Sequence, residues 1–477
     1  GTPQYSLTTD AAWLTINENT GVISGTPDNT GAHSVRITAV DNDVTYQQEF
    51  VLRVYAMEDV AIVNDLGLSG LYPAGTYSSA FVSNNVLYVA YEAKSRSTSG
   101  FDDCVAAYDL TTNTLIESHS LWNSGTSYDG HLGISIVMDQ HGYIHAFYGA
   151  HNSYLNYARS DNPHDVSSWT VRSTSFAASD STYPCPMMDP LTGDLYLVYR
   201  NTNSHISYTR STDDGATWGA TVHMTNFYCM YADNILPVVR DGEFYFVISG
   251  TTQYQVGADR NDPGLFIARL YNTHIYDAGW RDTGINYSSS PLTYAQWTSA
   301  PLNIEWSPNP GQEGWILTTQ AFVVLDAEYN PNVFYNTYDP GTDLWYLNWA
   351  FWDTLTNAWT IEHKICVQSP GTNAHPAPWI DAEGNIDVLI QQQYEPGKTS
   401  NGGDIVWMRY DATEGAWREE AVIMRKSDML AHGFEYGLYY IVHPYEHLTN
   451  DRTRLALFDG AGQSNLYAFD LESRTMI

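Results

Sequence analysis

The chain has 477 residues, of which 54 are acidic and only 21 are Lys or Arg, and its formal net charge is −33. Charged residues make up 16% of the chain, against about 25% in ordinary soluble proteins, so the acidity reflects a shortage of cations. This charge excludes nucleic acid as a partner, and the absence of an apolar run of ~18 residues excludes a membrane-spanning helix.

The hydrophobic fraction of 43% is enough for a large core, so we expect a folded chain rather than a disordered one. The cysteines form neither a CxxC motif nor a disulfide framework; they are Cys104, Cys185, Cys229 and Cys366. No signal peptide is visible, and the chain opens on Gly1-Thr2-Pro3 as a segment cut from a longer protein would.

Residues 1–57 stand apart, with short alternating strands separated by Gly and Pro turns. This pattern predicts a small β-sandwich. The clearest motif is Thr20–Pro27, which reads TGVISGTP. It resembles the motif of the Ig-like, cadherin-like modules of extracellular bacterial proteins. The resemblance implies a spacer or a weak glycan-binding module, and we favour the spacer.

Residues 58–477 repeat a unit made of an apolar strand, an Asp-x-Gly turn, two further strands and, in many copies, a Trp. One copy runs from Asp139 to Trp169, with an apolar strand at Tyr143–Tyr148. We count seven copies, and irregular four-strand repeats of about 40–50 residues are typical of a β-propeller. The sequence therefore predicts an all-β protein: an Ig-like β-sandwich at 1–57 followed by a seven-bladed β-propeller at 58–477.

One copy contains Ser211–Trp218, which reads STDDGATW. This stretch matches the Asp-box of sialidase-like propellers, S-x-D-x-G-x-T-W. In such a turn Asp213 can accept hydrogen bonds from backbone amides, Gly215 allows the backbone to turn, and Trp218 packs between blades. The motif is structural, so it supports the fold and says nothing about the chemistry.

Propellers bind ligands at the mouth of their central channel, near the start of each innermost strand. Aligning the copies places polar or aromatic residues at all seven starts. These starts are Tyr77–Ser79, Tyr128–His131, Thr182–Pro184, Tyr231–Asn234, Gln296–Thr298, Asn373–His375 and His432–Tyr436. The ends of the second strands form a second ring of Glu92, Lys94, His151, Arg200, Ser249 and Gln391–Gln393.

Two neighbouring copies hold the main candidate site, since one supplies His131 and His151 and the next supplies Tyr183 and Arg200. These residue types suit the abstraction of a proton next to a carboxylate. An arginine fork can neutralise the carboxylate, and a Tyr or neutral His can act as base or acid. Hydrolysis of a glycosidic bond would instead need a pair of carboxylates.

Four stretches around these residues share a family pattern: Tyr128–His131, Asp139–His151, Thr182–Pro184 and Leu195–Arg200. They resemble the BNR-repeat polysaccharide lyases, in particular the seven-bladed ulvan lyases of marine bacteria. The resemblance implies β-elimination in ulvan, a sulfated polysaccharide that contains uronic acid. It makes His131 and Tyr183 the acid/base pair, in an order that the sequence leaves open, and assigns carboxylate neutralisation to Arg200 and His151. Tyr199 is the alternative to Tyr183, whose Tyr-Pro context is the better match.

Other residues at the mouth are candidates for binding the sugar chain. They are Tyr128, Asp129, Tyr231, Asn234, Trp297, Asn373, His375, His432, Glu435 and Tyr436. The aromatic ones can stack on sugar rings, and blade packing is the alternative explanation for each. The mechanism requires no cofactor. The sequence leaves open whether a metal ion binds. Calcium could bind in Asp- and Asn-rich turns, and zinc could bind at Cys229 with His223 or at Cys366 with His363.

Two other functions are alternatives. The Asp-box is compatible with a sialidase-like glycoside hydrolase, but the Arg-Ile-Pro motif of sialidases is missing. A non-catalytic glycan-binding propeller is the second alternative. We expect an extracellular monomer whose partner is an anionic polysaccharide, bound in a locally cationic cleft within the acidic shell.

Overall fold

The structure is a computed structural model. It describes residues 3–25, 31–42, 44–54, 61–63, 79–94, 100–123, 132–201, 205–226, 238–240, 243–250, 264–271, 274–276, 282–286, 289–291, 293, 296, 303–306, 321–339, 341–368, 376–381, 383–392, 403–427, 438–442, 445–446, 455–460, 466–470 and 475–476. Within these ranges all elements are β-strands, and no helix is long and apolar enough to cross a membrane.

The chain divides into two compact units. One consists of Gly1–Val60 with Phe469–Ile477, and the other of Ala61–Ala468. The predicted boundary between residues 57 and 58 lies outside the described residues, and it stays a prediction.

Five strands of the first unit form two small sheets. They are β1 (Gln4–Thr9), β2 (Leu14–Ile16), β3 (Ile23–Gly25), β4 (Gly31–Asp41) and β5 (Val44–Val54). The first sheet has the order β1-β4-β5, and β2 pairs with β3. Half-buried and exposed residues alternate along β1, as expected for a strand with one face in water.

The remaining strands follow in chain order. They are β6 (Ala61–Val63), β7 (Ala80–Ser83), β8 (Val86–Lys94), β9 (Phe101–Asp109), β10 (Thr114–Asn123), β11 (Ser135–Met138), β12 (Ile144–Tyr148), β13 (His151–Ser160), β14 (Trp169–Met188), β15 (Leu195–Asn201), β16 (His205–Ser211), β17 (Val222–His223), β18 (Val238–Arg240), β19 (Glu243–Gly250), β20 (Gly264–Tyr271), β21 (His274–Tyr276), β22 (Asp282–Asn286), β23 (Asn303–Trp306), β24 (Ala321–Leu325), β25 (Pro331–Asp339), β26 (Leu344–Asp353), β27 (Ala358–Gln368), β28 (Ala377–Ile380), β29 (Ile386–Gln392), β30 (Asp404–Asp411), β31 (Ala416–Met424), β32 (Leu438–Val442), β33 (Tyr445–Glu446), β34 (Leu455–Gly460), β35 (Leu466–Asp470) and β36 (Thr475–Met476).

Most of these strands form antiparallel sheets that succeed one another along the chain. The sheets are β7–β10, β11–β17, β18–β22, β24–β27, β28–β31 and the set β32, β34, β35, β36. Inner strands of neighbouring sheets adjoin, with β8 against β11, β19 against β24 and β24 against β28. This arrangement confirms the all-β propeller. The number of blades stays a prediction.

Two pairings join the beginning of the second unit to its end. β6 pairs with β35 through Val63 opposite Leu466 and Ala61 opposite Tyr467. β33 runs parallel to β7, with Tyr445 opposite Phe81. Residues far apart in the chain thus share sheets, which leaves fewer unpaired strand edges.

Burial decreases from the first strands of a sheet towards the last. All residues of β11 and β12 are buried, whereas β10 is mostly exposed or half-buried. Fully buried strands read as continuous apolar runs, which explains why these segments are recognisable in the sequence. Rings pack between successive repeats: the rings of Phe147 and Trp218 meet edge to face with centres 5.6 Å apart, as do those of Trp349 and Trp417 at 5.5 Å.

Two details differ from the sequence prediction. The last strand of one repeat and the first of the next are a single strand, β14, so β11–β17 form one sheet. In addition, His151 begins the third strand, β13, instead of ending the second, which ends at Tyr148. Gly149, with a φ of 73°, turns the chain between them.

Candidate active site

Three adjacent strands bring part of the predicted constellation together. The antiparallel register pairs His151 of β13 with Thr182 of β14, and Thr182 with Arg200 of β15. These three residues therefore form one row across the sheet, at the junction of two repeats. Directly opposite residues of an antiparallel pair share one face of the sheet.

A β-bulge places Tyr183 beside this row. Between the pairs Thr182–Arg200 and Cys185–Val198, β14 contains two residues and β15 only one. Tyr183 is one of the two, and its φ of 58° lies in the left-handed region, where a bulky residue is an outlier. Backbone strain of this kind costs about 1–3 kcal/mol and concentrates at functional sites. The bulge turns the Tyr183 ring towards the arginine of the next strand.

The Arg200 guanidinium carbon lies 4.5 Å from the centre of the Tyr183 ring, within the range of a cation–π contact. Tyr183 is 4% exposed and Arg200 is 7% exposed. The burial of a guanidinium is costly unless polar or aromatic groups compensate it. Arg200 Nη2 donates a hydrogen bond to Asn152 Oδ1 over 3.5 Å, and the Asn152 side chain is exposed. The arginine thus reaches from the interior towards the exposed start of β13.

Tyr199, the alternative to Tyr183, has other contacts. Its hydroxyl lies 2.7 Å from Thr221 Oγ1, and burial raises its pKa. Because neighbouring residues of a strand face opposite sides, Tyr199 and Arg200 diverge. These contacts favour Tyr183 for the role at the site.

The sequence prediction missed Asn152 as a site residue and named Thr182 only as part of a strand start. Thr182, with no exposed surface, sits at the centre of the row, and its Oγ1 accepts a hydrogen bond from the backbone N–H of Asn152 over 2.9 Å. Asn152 has a φ of 50°. The preference of Asn for the left-handed region was the only available indication, since the rest depends on strand register.

The other predicted site residues lie outside the described residues. They are the acid/base candidate His131 and the substrate-binding candidates Tyr128, Asp129, Tyr231, Asn234, Trp297, Asn373, His375, His432, Glu435 and Tyr436. Their roles stay predictions.

Other described arginines hold structural positions. Arg210 forms a salt bridge with Asp194, and its guanidinium carbon lies 5.4 Å from the Tyr196 ring centre. Arg409 contacts Asp381 and Asp387, with its Nη1 3.0 Å from the latter. Both join neighbouring strands through acidic partners.

A buried acidic pair lies on the sheet of β7–β10. Glu92 of β8 is directly opposite Asp103 of β9, and they are 4% and 2% exposed. Burial, followed by the charges of Glu92 and Asp102, raises the pKa of Asp103 well above its usual value. Two carboxyl groups so close together and so buried do not both ionise readily.

The two zinc pairs raised by the sequence lie only partly within the described residues, and a metal role stays untested. Burial raises the pKa of Cys366 to about 12, which disfavours the thiolate that zinc binds. His223 Nδ1 lies 2.9 Å from Ser207 Oγ, and Cys229 is outside the described residues. Within the described part of the chain, no three His, Cys, Asp or Glu side chains come together in a way that could hold a metal ion.

Comparison with known families identifies both parts of the chain. A model of the BNR repeat-containing family matches residues 86–364, more than half of the chain. The chain belongs to the BNR repeat-containing family. Residues 1–55 match the family described as "Putative Ig domain". The strands of the candidate site all lie within the BNR-repeat match.

Two characterised relatives are ulvan lyases. The chain is 26% identical over 178 residues to a PL25 ulvan lyase from Pseudoalteromonas sp. (strain PLSV), a match that covers 32% of this chain and 33% of the relative. It is also 26% identical over 207 residues to an ulvan lyase from Alteromonas sp. (strain LOR), covering 38% of each. The matched segments thus span little more than a third of these relatives.

Solved structures support the fold of the BNR-repeat chain. A PL25 ulvan lyase bound to -[GlcA(1-4)Rha3S]- superposes with a TM-score of 0.63 at 16% identity, over 85% of this chain and 94% of that one. The polysaccharide lyase Uly1 superposes with a TM-score of 0.53 at 10% identity, over 84% of this chain and 91% of that one. At such identities the likeness concerns the fold alone.

Proposed function

We propose that this BNR-repeat propeller is an ulvan lyase, which cleaves a sulfated, uronate-containing polysaccharide by β-elimination. One observation carries the proposal: the Arg200 guanidinium lies 4.5 Å above the Tyr183 ring, at the end of a row that begins at His151. A cation and a phenol are in contact there, His151 lies two strands away in the same row, and two relatives of the chain are ulvan lyases.

The chemistry follows from these residue types. A base removes the proton from C5 of the uronate, the electron pair forms the C4=C5 double bond, and the C4–O bond breaks while an acid protonates the leaving oxygen. Arg200 and His151 would neutralise the carboxylate, because charge develops on it as the proton leaves. Tyr183 and His131 would be the acid/base pair. Since the substrate is a polymer, we also propose that the enzyme acts outside the cell.

The test is incubation with ulvan, with the conjugated, unsaturated uronate product detected by its ultraviolet absorbance. Tyr183→Phe removes only the hydroxyl, so we expect kcat to fall about 10²–10⁴-fold, the usual contribution of a general acid or base. Arg200→Lys, which replaces the planar fork by a point charge, should lower kcat as well as raise KM, because the guanidinium both binds the carboxylate and stabilises the charge that develops on it.

The same sheet offers a matched control, because Arg210 also lies over a tyrosine ring, that of Tyr196. Tyr196→Phe and Arg210→Lys should leave kcat and KM nearly unchanged. Full activity of both Tyr183→Phe and Arg200→Lys would show that the site is wrong. Release of reducing ends without the ultraviolet signal would indicate a hydrolase, and binding without cleavage a glycan-binding protein.

A further inference from the structure

Asn152 connects all three strands of the candidate site. Between the pairs His151–Thr182 and Ser153–Ser181, β13 has one extra residue, Asn152. It is therefore a second bulge residue, at a φ of 50°, across the sheet from the bulge that contains Tyr183. Bulges often direct a side chain towards a site.

The bulge gives Asn152 two separate contacts. Its backbone N–H donates to Thr182 Oγ1 over 2.9 Å, which fixes β13 against β14. Its side-chain Oδ1 accepts a hydrogen bond from Arg200 Nη2 over 3.5 Å, which reaches β15. The first contact needs only the backbone, whereas the second needs the amide.

We propose that Asn152 is a positioning residue that orients the Arg200 guanidinium for the carboxylate of the sugar; this inference rests on the proposed lyase function. A guanidinium binds a carboxylate best when its planar fork is held in a fixed direction. An amide oxygen supplies this orientation without adding negative charge beside the cation.

The decisive variant is Asn152→Asp. Aspartate has the same shape, also tolerates the left-handed backbone, and keeps the N–H that bonds to Thr182. Its carboxylate, however, would pair with Arg200 and compete with the substrate. We expect Kd and KM for a glucuronate-containing oligosaccharide to rise at least about 10-fold near neutral pH, the scale of one charge-assisted hydrogen bond.

The pH dependence of KM distinguishes an effect of the new charge from a structural effect of the substitution. The new carboxylate becomes protonated as the pH falls, so the ratio of the variant's KM to that of the unaltered enzyme should decrease towards acid pH. Charged or titratable residues of these strands near the site are His151 on β13, Asp180 and Tyr183 on β14, and Tyr199 and Arg200 on β15, and all of them are present in both proteins.

Two further variants provide controls. Asn152→Gly keeps the backbone conformation and the bond to Thr182 but removes the amide, so we expect a KM increase of about 3–10-fold with an unchanged pH profile. Asn357→Asp makes the same substitution at an exposed residue with a φ of 52°, and should change neither Kd nor KM.

Calorimetric binding and product formation are measured side by side, so that two failures can be distinguished. The proposed function fails if the unaltered protein binds the oligosaccharide without forming unsaturated product; absence of both binding and product would overturn both proposals. The Asn152 inference fails if the unaltered protein is active and Asn152→Asp binds equally well. It also fails if Asn152→Asp and Asn152→Gly lose the same affinity at every pH, because the role would then be structural.

Discussion

Tyr183 and Asn152 both occupy backbone conformations that most residues avoid, at φ values of 58° and 50°. Each is the extra residue of a bulge, and the two bulges flank Thr182. In regular strands, side chains would alternate between the two faces of the sheet. The bulges break this alternation and bring a phenol ring, a guanidinium and an amide to one place. The strained backbone at these two residues thus accompanies the meeting of the three side chains.

Buried acids are a second feature at the residue scale. Asp103 is almost fully buried opposite Glu92, and its Oδ2 has no hydrogen-bond partner among the described residues. Because its pKa is raised in the folded protein, the folded state retains a proton that the unfolded chain loses near pH 4. Stability linked to this group is fully present below that pH and is lost as the pH rises through the folded-state pKa.

We therefore expect Asp103→Asn to stabilise the protein relative to the unaltered chain, by an amount that grows as the pH rises above about 4. The amide cannot ionise, so the cost of a buried charge disappears. Urea denaturation at several pH values between 4 and 8 measures this difference.

Asp353→Asn is the matched control, because its effect on stability should change with pH in the opposite direction. The backbone N–H of Leu355 is the main cause that lowers the pKa of the half-buried Asp353, so the contribution of Asp353 to stability is present above the usual pKa and is lost as the pH falls. A pH-independent difference for Asp103→Asn would contradict the expected titration. Loss of polysaccharide cleavage in Asp103→Asn, with the fold intact, would instead favour an acid pair as in a glycosidase.

At the scale of elements, the Asp-box turn joins two repeats. Asp213 accepts hydrogen bonds from the N–H and hydroxyl of Thr217, at 2.8 and 2.6 Å. The hydroxyl of Tyr157, in the preceding repeat, donates to the Gly215 carbonyl over 3.0 Å. Trp218 packs against the rings of Phe147 and Tyr157. The turn therefore has the structural role that its sequence predicts.

Gly215 is the sensitive point of this turn. Its φ is 75°, and a Cβ there would overlap the Tyr157 hydroxyl and lie 2.6 Å from His145 Cε1. We expect Gly215→Ala to cost about 1–2 kcal/mol for the left-handed backbone and about 1–3 kcal/mol more for overpacking, measured by chemical denaturation.

Gly384→Ala isolates the first of these costs. Gly384 has a φ of 83°, but a Cβ there meets no atom within 4 Å, so only the backbone penalty of about 1–2 kcal/mol should remain. Equal losses of stability for the two variants would show that the contact between the repeats is not strained by the added methyl group.

Sequence reasoning succeeded where strand ends decide the position of a residue. Apolar runs mark β12 and β15, so the end of a strand near Arg200 could be predicted. It failed at His151, because a positive φ at Gly149 ends the strand early, and at Asn152, because bulges depend on register between distant segments. The fold class and the Asp-box turn were predictable; the exact row of side chains was not.

At the scale of the whole molecule, the scarcity of cations has a consequence for binding. Several described arginines are engaged by acids, as Arg36 is by Glu49 over 2.5 Å and Arg409 is by Asp387. With a net charge of −33, the surface as a whole repels an anionic polymer. Binding must then rely on short-range contacts, such as those of Arg200, that attract the polymer despite this repulsion.

Long-range repulsion and short-range attraction respond differently to salt, and this leads to a prediction for the intact enzyme. The Debye length falls from about 30 Å at 0.01 M to about 8 Å at 0.15 M, so added salt screens the distant surface charges before it weakens a buried contact. We therefore expect kcat/KM on the sulfated polymer to increase with NaCl over this range. A short oligosaccharide carries fewer charges and should show a smaller increase, which makes it the control. A steady decrease of kcat/KM on the polymer would mean that a cationic surface guides the substrate, and would contradict the view that attraction is confined to the site.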